Sequence, residues 1–280
     1  MPGRLAPPVA QPGAARTGLI LVLALGLASG AAGLALISVE EEIAIGRQAQ
    51  AEVRARTPEL ADAAIADYVR DIGRQLAGVA RGPRYPYSFS IADYREINAF
   101  ALPGGPVWIH RGALDAAGNE AQLAGVLAHE IAHVAERHAA GQLTKALVAE
   151  GLLGLLGAVL GDGGAARAAQ VAARVAAGGY MLKFSRDDER EADRVGAAIM
   201  RRAGWDPRGM IEFLQVIRDQ QGRDPSRVEV FLSTHPSPAD RIRDLERSVG
   251  RGGGRRDSAR FREIQRRLAR LPPARAMPRR

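Results

Sequence analysis

His129-Glu130-Ile131-Ala132-His133 puts two histidines four residues apart, with a glutamate beside the first. On an α-helix, positions i and i+4 share one face about 40° apart, so both imidazoles can reach one Zn²⁺ ion. Glu130, next to them, is placed to take a proton from a water activated by the metal. The flanking Val126, Leu127, Ile131, Ala132 and Val134 are apolar, so the helix is expected to be buried. Buried polar side chains without partners are costly, and a metal ion supplies the partner. The chain has no cysteine and five histidines, His110, His129, His133, His138 and His235. Disulfides, thiolate metal sites and cysteine nucleophiles are therefore excluded, and any metal must be held by histidines and carboxylates.

A third ligand is needed. In one arrangement it is a histidine six residues beyond the second, after a glycine, but Glu136 and Ala139 stand at those positions. In the other it is a glutamate from a later helix. The run Phe184-Ser185-Arg186-Asp187-Asp188-Glu189-Arg190-Glu191-Ala192-Asp193 offers one. Glu189 and Asp193 share a helical face, so Glu189 can ligate while Asp193 accepts a hydrogen bond from the outer nitrogen of a ligand histidine. Taken alone, this charged run reads as a solvated helix. Beside the histidine helix, the metal reading prevails. His138 lies nine residues beyond His129, on the opposite face if the helix continues, and is expected to support the site without ligating. His110, at a strand end, is expected at the surface.

These residues need a scaffold. Ile43, Ile45 and Val53, then Ala64, Ile65, Tyr68, Val69, Ile72 and Leu76, recur at helical steps over residues 40–80. Gly82-Pro83-Arg84-Tyr85-Pro86 breaks the chain, and residues 87–91 alternate as a strand does. Residues 98–102 and 107–109 are two more strands, joined through Pro103-Gly104-Gly105-Pro106. From about 114 to 248 the pattern is helical. The expected fold is α+β and mostly helical, with a small sheet packed on helices. The apolar stretch 146–160 contains Glu150 and is shorter than the ~18 residues that span a bilayer, so 146–178 reads as a helical hairpin, buried or leaning on a membrane.

Charge divides the chain further. The net charge is +8, yet residues 251–280 hold eleven arginines against Asp257 and Glu263. The basicity therefore belongs to a tail and describes a local patch. Residues 17–39 are uncharged, with Arg4 and Arg16 before them and Glu40-Glu41-Glu42 after them. That order favours a cytoplasmic N-terminus and an exported body. Residues 1–37 are expected to be a signal peptide or N-terminal membrane anchor, 38–249 the catalytic domain, and 250–280 a glycine hinge with a basic tail. In the tail, Phe261, Ile264, Leu268 and Leu271 share a face flanked by Arg260, Arg262, Arg266, Arg267 and Arg270. Such a helix suits an anionic membrane surface, or an acidic groove on its own domain or on a partner. Nucleic-acid binding would rest on this tail alone and is not expected.

Several separate blocks carry a family resemblance: Glu41-Glu42-Ile43-Ala44-Ile45-Gly46; Asn98-Ala99-Phe100 through Pro103-Gly104-Gly105; the histidine helix followed by Arg137-His138; Ser185 to Asp193; Ala203-Gly204-Trp205-Asp206-Pro207 after Met200; and Phe231-Leu232-Ser233-Thr234-His235-Pro236-Ser237-Pro238 with Arg241. Over about residues 38–248 the chain resembles the membrane-associated zinc metallopeptidases of the CaaX prenyl protease, HtpX and BepA type, which are gluzincins, and is most similar to their soluble exported branch. The resemblance implies a zincin-like fold whose small sheet bears an active-site edge strand. It implies one Zn²⁺ per chain on His129, His133 and Glu189, with Glu130 as general base. His235 would bind the oxyanion, or latch the open position on the zinc, with Arg241 steadying that region and Asp193 and His138 in support. The strand Asn98-Ala99-Phe100 would pair with an extended substrate backbone. The implied function is hydrolysis of misfolded or misassembled envelope proteins at the periplasm, or at the periplasmic face of a membrane, in a Gram-negative-like bacterium. The alternative is a chaperone or scaffold with latched, low proteolytic activity.

Overall fold

The structure, a computed structural model, describes residues 37–149, 183–235 and 238–278. Most of the uncharged segment 17–39, and the expected hairpin 146–178 from residue 150 onward, lie outside the described residues. Two helices open the described chain. Helix α1, Val39–Arg56, starts at a capping box in which Ser38 and Glu41 bond each other's backbone N–H. Helix α2, Ala63–Ala77, is capped by Asp62 and buries Ile65, Tyr68, Val69, Ile72 and Leu76 of the set its periodicity marked, while Ala64, the other member, is exposed.

Three strands follow: β1, Ser88–Ala92; β2, Ala99–Ala101; and β3, Pro106–His110. The order is β1-β3-β2, with β1 parallel and β2 antiparallel to the central β3, and Phe100 opposite Trp108. The linker between α1 and α2 pairs with β1 (Leu60 N–H to the Ile91 carbonyl, 3.0 Å), so β2 is the sheet's other edge. The turn between β2 and β3 rests on α1 and leaves no room for side chains there. A Cβ on Gly46 would fall 1.7 Å from the Pro103 oxygen, and one on Gly104, which has φ 72°, would fall 2.5 Å from the Ile43 Cα. Two of the family-like blocks are thus one packing contact.

The short α3, Arg111–Ala116, leads to α4, Glu120–Ala135, which is buried along its whole length. Helix α4 lies between the sheet and α2 on one side and the later helices α6, Arg186–Arg202, and α7, Arg208–Arg223, on the other. Arg137 ends it in a left-handed conformation, φ 61°. That conformation is held in place because the Arg137 side chain donates to Glu42 and to the Ile37 carbonyl. Helix α5, His138–Ala149, therefore starts in a new direction. After α7 come a 3₁₀ turn at Pro225–Arg227, the short α8, Glu229–Thr234, then α9, Pro238–Val249, and α10, Ala259–Leu268.

The C-terminal segment differs from a free hinge and tail. Arg255 exchanges backbone hydrogen bonds with Gly204 and Asp206, at 2.8 and 3.0 Å. Phe261, Ile264 and Leu268 of α10 enter the main core. Beyond α10, Arg111 donates to the Leu268 and Pro272 carbonyls, and Arg275 pairs with the backbone around Tyr94. The arginines meet acids of the body: Arg267 with Asp62, Arg260 with Asp71, Arg255 with Glu120, and Arg256 with Asp206 and Glu212. Of the surfaces an amphipathic basic helix could meet, this one meets its own domain.

Candidate metal centre and active site

His129 and His133, one turn apart on α4, turn their Nε2 atoms to within 3.0 Å of each other. Glu189, in the first turns of α6, reaches the same point, with its carboxylate 3.3 Å from His133 Nε2 and 3.6 Å from His129 Nε2. His235, at the end of α8, places Nδ1 3.0 Å from Glu189 Oε1 and Nε2 3.8 Å from Glu130 Oε1. All of these side chains are buried. One atom from each of His129, His133, Glu189 and His235 lies within 4.8 Å of the others.

Behind this cluster, Asp193 stands 3.1 Å from His129 Nδ1, and Arg241 on α9 forks onto the Asp193 carboxylate at 2.8 and 2.6 Å. Arg241 Nη1 also lies 2.7 Å from Glu189 Oε2, as an ion pair without hydrogen-bond alignment. Burial alone would raise the Glu189 carboxyl, but His235 and Arg241 outweigh it and hold Glu189 well below the usual carboxylate range. The same balance, through Arg241 and His129, lowers Asp193. Burial raises Glu130. Burial holds the His133 imidazole well below its ordinary value. His129 moves the other way, to about 9, because Asp193 and Glu189 outweigh burial and Arg241.

The donors fit a metal ion. With its outer nitrogen facing Asp193, His129 would offer Nε2 to a metal ion in place of the proton that Asp193 and Glu189 favour there, and this nitrogen faces that of a His133 held neutral. The anionic Glu189 and Asp193 draw positive charge to this point, and a divalent cation satisfies both it and the lone pairs. Glu189 Oε2 and Glu130 Oε2 are buried without a hydrogen-bond partner, which polar atoms in folded proteins avoid. A donor set of two histidines and a carboxylate, without thiolates, is one that Zn²⁺ takes in catalytic sites.

His138 does not lie on the far face of α4. Because Arg137 breaks the helix, the His138 ring returns over His133, with the two Nδ1 atoms 2.9 Å apart, and its Nε2 faces Glu191 at 3.5 Å. His110 is not at the surface but buried, with Nδ1 3.2 Å from the Glu96 carbonyl and its pKa pushed down to about 4 by burial. Asn98 immediately precedes β2, and its carbonyl accepts the His110 N–H at 2.9 Å. Ala99 and Phe100 lie on the edge strand, which packs beside α4. Two aromatic rings at the centre carried no assigned role in the sequence. Phe184 stacks on His133 with centroids 4.0 Å apart, and Phe231 stacks on His235 at 4.8 Å. Their only signal was proximity, since Phe184 precedes the α6 cap and Phe231 stands four residues before His235. An apolar pocket formed by Val126, Met210, Phe213, Leu214 and Phe231 opens beside His129, Glu130 and Arg241.

A buried His-Glu-x-x-His helix facing a glutamate from a following helix, with a small sheet alongside, is the arrangement of the zinc metallopeptidases called gluzincins. The chain belongs to one family of that class: residues 63–249 match peptidase family M48. It is 34% identical over 213 residues to the beta-barrel assembly-enhancing protease of Escherichia coli K12, covering 74% of this chain and 44% of that protein. The protein of the same name in Yersinia pestis is 34% identical over 215 residues, 75% of this chain and 44% of its own length. The mitochondrial metalloendopeptidase OMA1 of Schizosaccharomyces pombe is 34% identical over 182 residues, 64% of this chain and 51% of its own. The chain thus spans about half the length of the curated relatives it matches, or less. No described helix is long and apolar enough to cross a membrane.

Proposed function

We propose that this chain is a zinc-dependent endopeptidase that hydrolyses misfolded or misassembled proteins of a bacterial envelope. The observation that carries the reading is the convergence of His129, His133 and Glu189, with the Glu130 carboxylate, its Oε2 without a hydrogen-bond partner, beside them. His129, His133 and Glu189 would hold the Zn²⁺, which when bound supplies Lewis-acid polarisation of a carbonyl and a more acidic water. Glu130 is the general base. Burial raises its pKa, so its conjugate acid is suited to passing the proton on to the leaving amine. Asp193 fixes the His129 ring by accepting from Nδ1, and Arg241 holds Asp193. The edge strand β2, through Asn98, Ala99 and Phe100, offers backbone groups to an extended substrate, which favours unfolded chains over particular sequences.

The position of His235 favours a latched resting state. Its Nδ1 lies beside Glu189, and as a further metal donor it would fill the place of water until displaced. Displaced, it lies within reach of an oxyanion, where a donor is worth about 3 kcal/mol. A scaffold with little proteolysis is not favoured, because the donor set and Glu130 are complete. Export rests on the charge order around residues 17–39 and on the kinship with the beta-barrel assembly-enhancing proteases. The test is degradation of an unfolded outer-membrane protein by the wild type and by Glu130→Gln. Cleavage by the wild type alone is expected, and equal cleavage by both would overturn the reading.

A further inference from the structure

One side chain is shared by the pocket beside Glu130 and by the support of His235. Phe231 forms part of the pocket wall with Val126, Met210, Phe213 and Leu214. The same ring stacks on His235, with centroids 4.8 Å apart and planes 29° apart. Backbone links the two as well, since the His235 N–H donates to the Phe231 carbonyl at 2.8 Å. The His235 ring also meets Glu189, with Nδ1 to Oε1 at 3.0 Å. An apolar group that enters the pocket meets the same Phe231 ring that stacks on His235.

We propose that Phe231 is a positioning residue that couples filling of this pocket by an apolar substrate side chain to withdrawal of His235 from Glu189. The inference rests on the reading of His235 as a latch. Backbone pairing along β2 holds a substrate equally well with His235 in or out. A ligand shifts an equilibrium only by its differential affinity for the two states. The side chain in the pocket supplies that difference, because it binds well only with Phe231 displaced. Selectivity for an apolar residue beside the scissile bond then appears in kcat as well as in KM. A purely structural Phe231 would change stability and leave this selectivity intact.

The test compares two peptides that differ only at the residue entering the pocket, Leu or Ala. Wild type, Phe231→Ala, Phe231→Leu and His235→Ala are each assayed for kcat and KM, and the zinc affinity of each is read by chelator competition. The Leu variant keeps an apolar side chain and guards against loss of the fold. For wild type the kcat ratio of Leu to Ala peptide is expected to be on the order of 10. In both Phe231 variants and in His235→Ala the kcat ratio falls toward one, and zinc is held more weakly than in wild type. A Phe231→Leu enzyme that keeps the wild-type ratio, or that loses kcat equally on both peptides with unchanged zinc affinity, overturns the coupling alone. Cleavage by Glu130→Gln in the same assay would overturn the peptidase reading and the coupling with it.

Discussion

Arg241 grips Asp193 through two parallel hydrogen bonds, Nε to Oδ2 at 2.8 Å and Nη2 to Oδ1 at 2.6 Å, while Oδ1 also faces His129 Nδ1 at 3.1 Å. The His129 ring, its carboxylate partner and the arginine come from three helices, α4, α6 and α9. Outer partners of this kind set the tautomer and the direction of a ligand imidazole. Asp193→Asn keeps the shape but removes the charge and turns one of the two acceptor oxygens into a donor. It is expected to weaken zinc binding about 10- to 100-fold, as measured by chelator competition.

Arg241 sits among Glu189, Asp193 and Glu130 with no solvent to screen it. Arg241→Ala leaves two buried carboxylates without their cation. A loss of about 3–5 kcal/mol in urea unfolding of the metal-free protein is the expected result. Arg241→Lys keeps a charge but cannot form the fork, and should recover only part of that loss.

Gly46 meets the Pro103 carbonyl where no Cβ can stand. Gly46→Ala must push the turn between β2 and β3 away from α1, at a cost of about 1–3 kcal/mol. Because that turn follows the edge strand, KM for a long peptide should rise as the melting temperature falls. Both are read on one preparation.

The C-terminal strap contributes to stability through its apolar face and its arginines. Phe261→Ala should cost about 3–5 kcal/mol in urea unfolding. The charged part depends on pH. Burial raises Glu212, but Arg256, Asn119 and Gln122 outweigh it and lower its pKa. For Asp206 the backbone N–H groups of Arg208 and Gly253, together with Arg256, likewise outweigh burial. A carboxylate with a depressed folded pKa stabilises fully above its unfolded value, near about 4, and loses that contribution as the pH falls through the folded value. Urea midpoints measured from neutral pH to about pH 3 should therefore fall less steeply for Arg256→Ala than for wild type.

Much of this was legible in the chain because it rests on local pattern. The spacing of His129 and His133, the periodicity of α2 and the turn at Gly104 each encode their own geometry. Helical spacing put Asp193 on one face with Glu189, and only the neighbouring histidine helix suggested a histidine as its partner. What was not legible depends on contacts between distant segments. His138 turns back over His133 because Arg137 takes a left-handed conformation held by Glu42, 95 residues earlier. His110 reads as a surface strand end, yet Tyr94, Phe100 and the Glu96 carbonyl close around it. The arginines of α10 carry the same pattern whether they meet a bilayer or a protein, and only Asp71 in α2 and its capping Asp62, which meet Arg260 and Arg267, decide between them. Phe184 and Phe231 carried only the signal of proximity, and an aromatic near a motif is more often core than part of a site.

The central claim is that His129, His133 and Glu189 hold one zinc ion beside Glu130. Zinc content and zinc-edge X-ray absorption test it most directly, on the purified wild type, His133→Ala, Glu189→Gln and Glu130→Gln proteins. The account predicts close to one zinc per chain, bound by nitrogen and oxygen at about 2.0–2.2 Å, in wild type and Glu130→Gln. It predicts much weakened binding in the other two. Zinc held as tightly by His133→Ala and Glu189→Gln as by the wild type would contradict it.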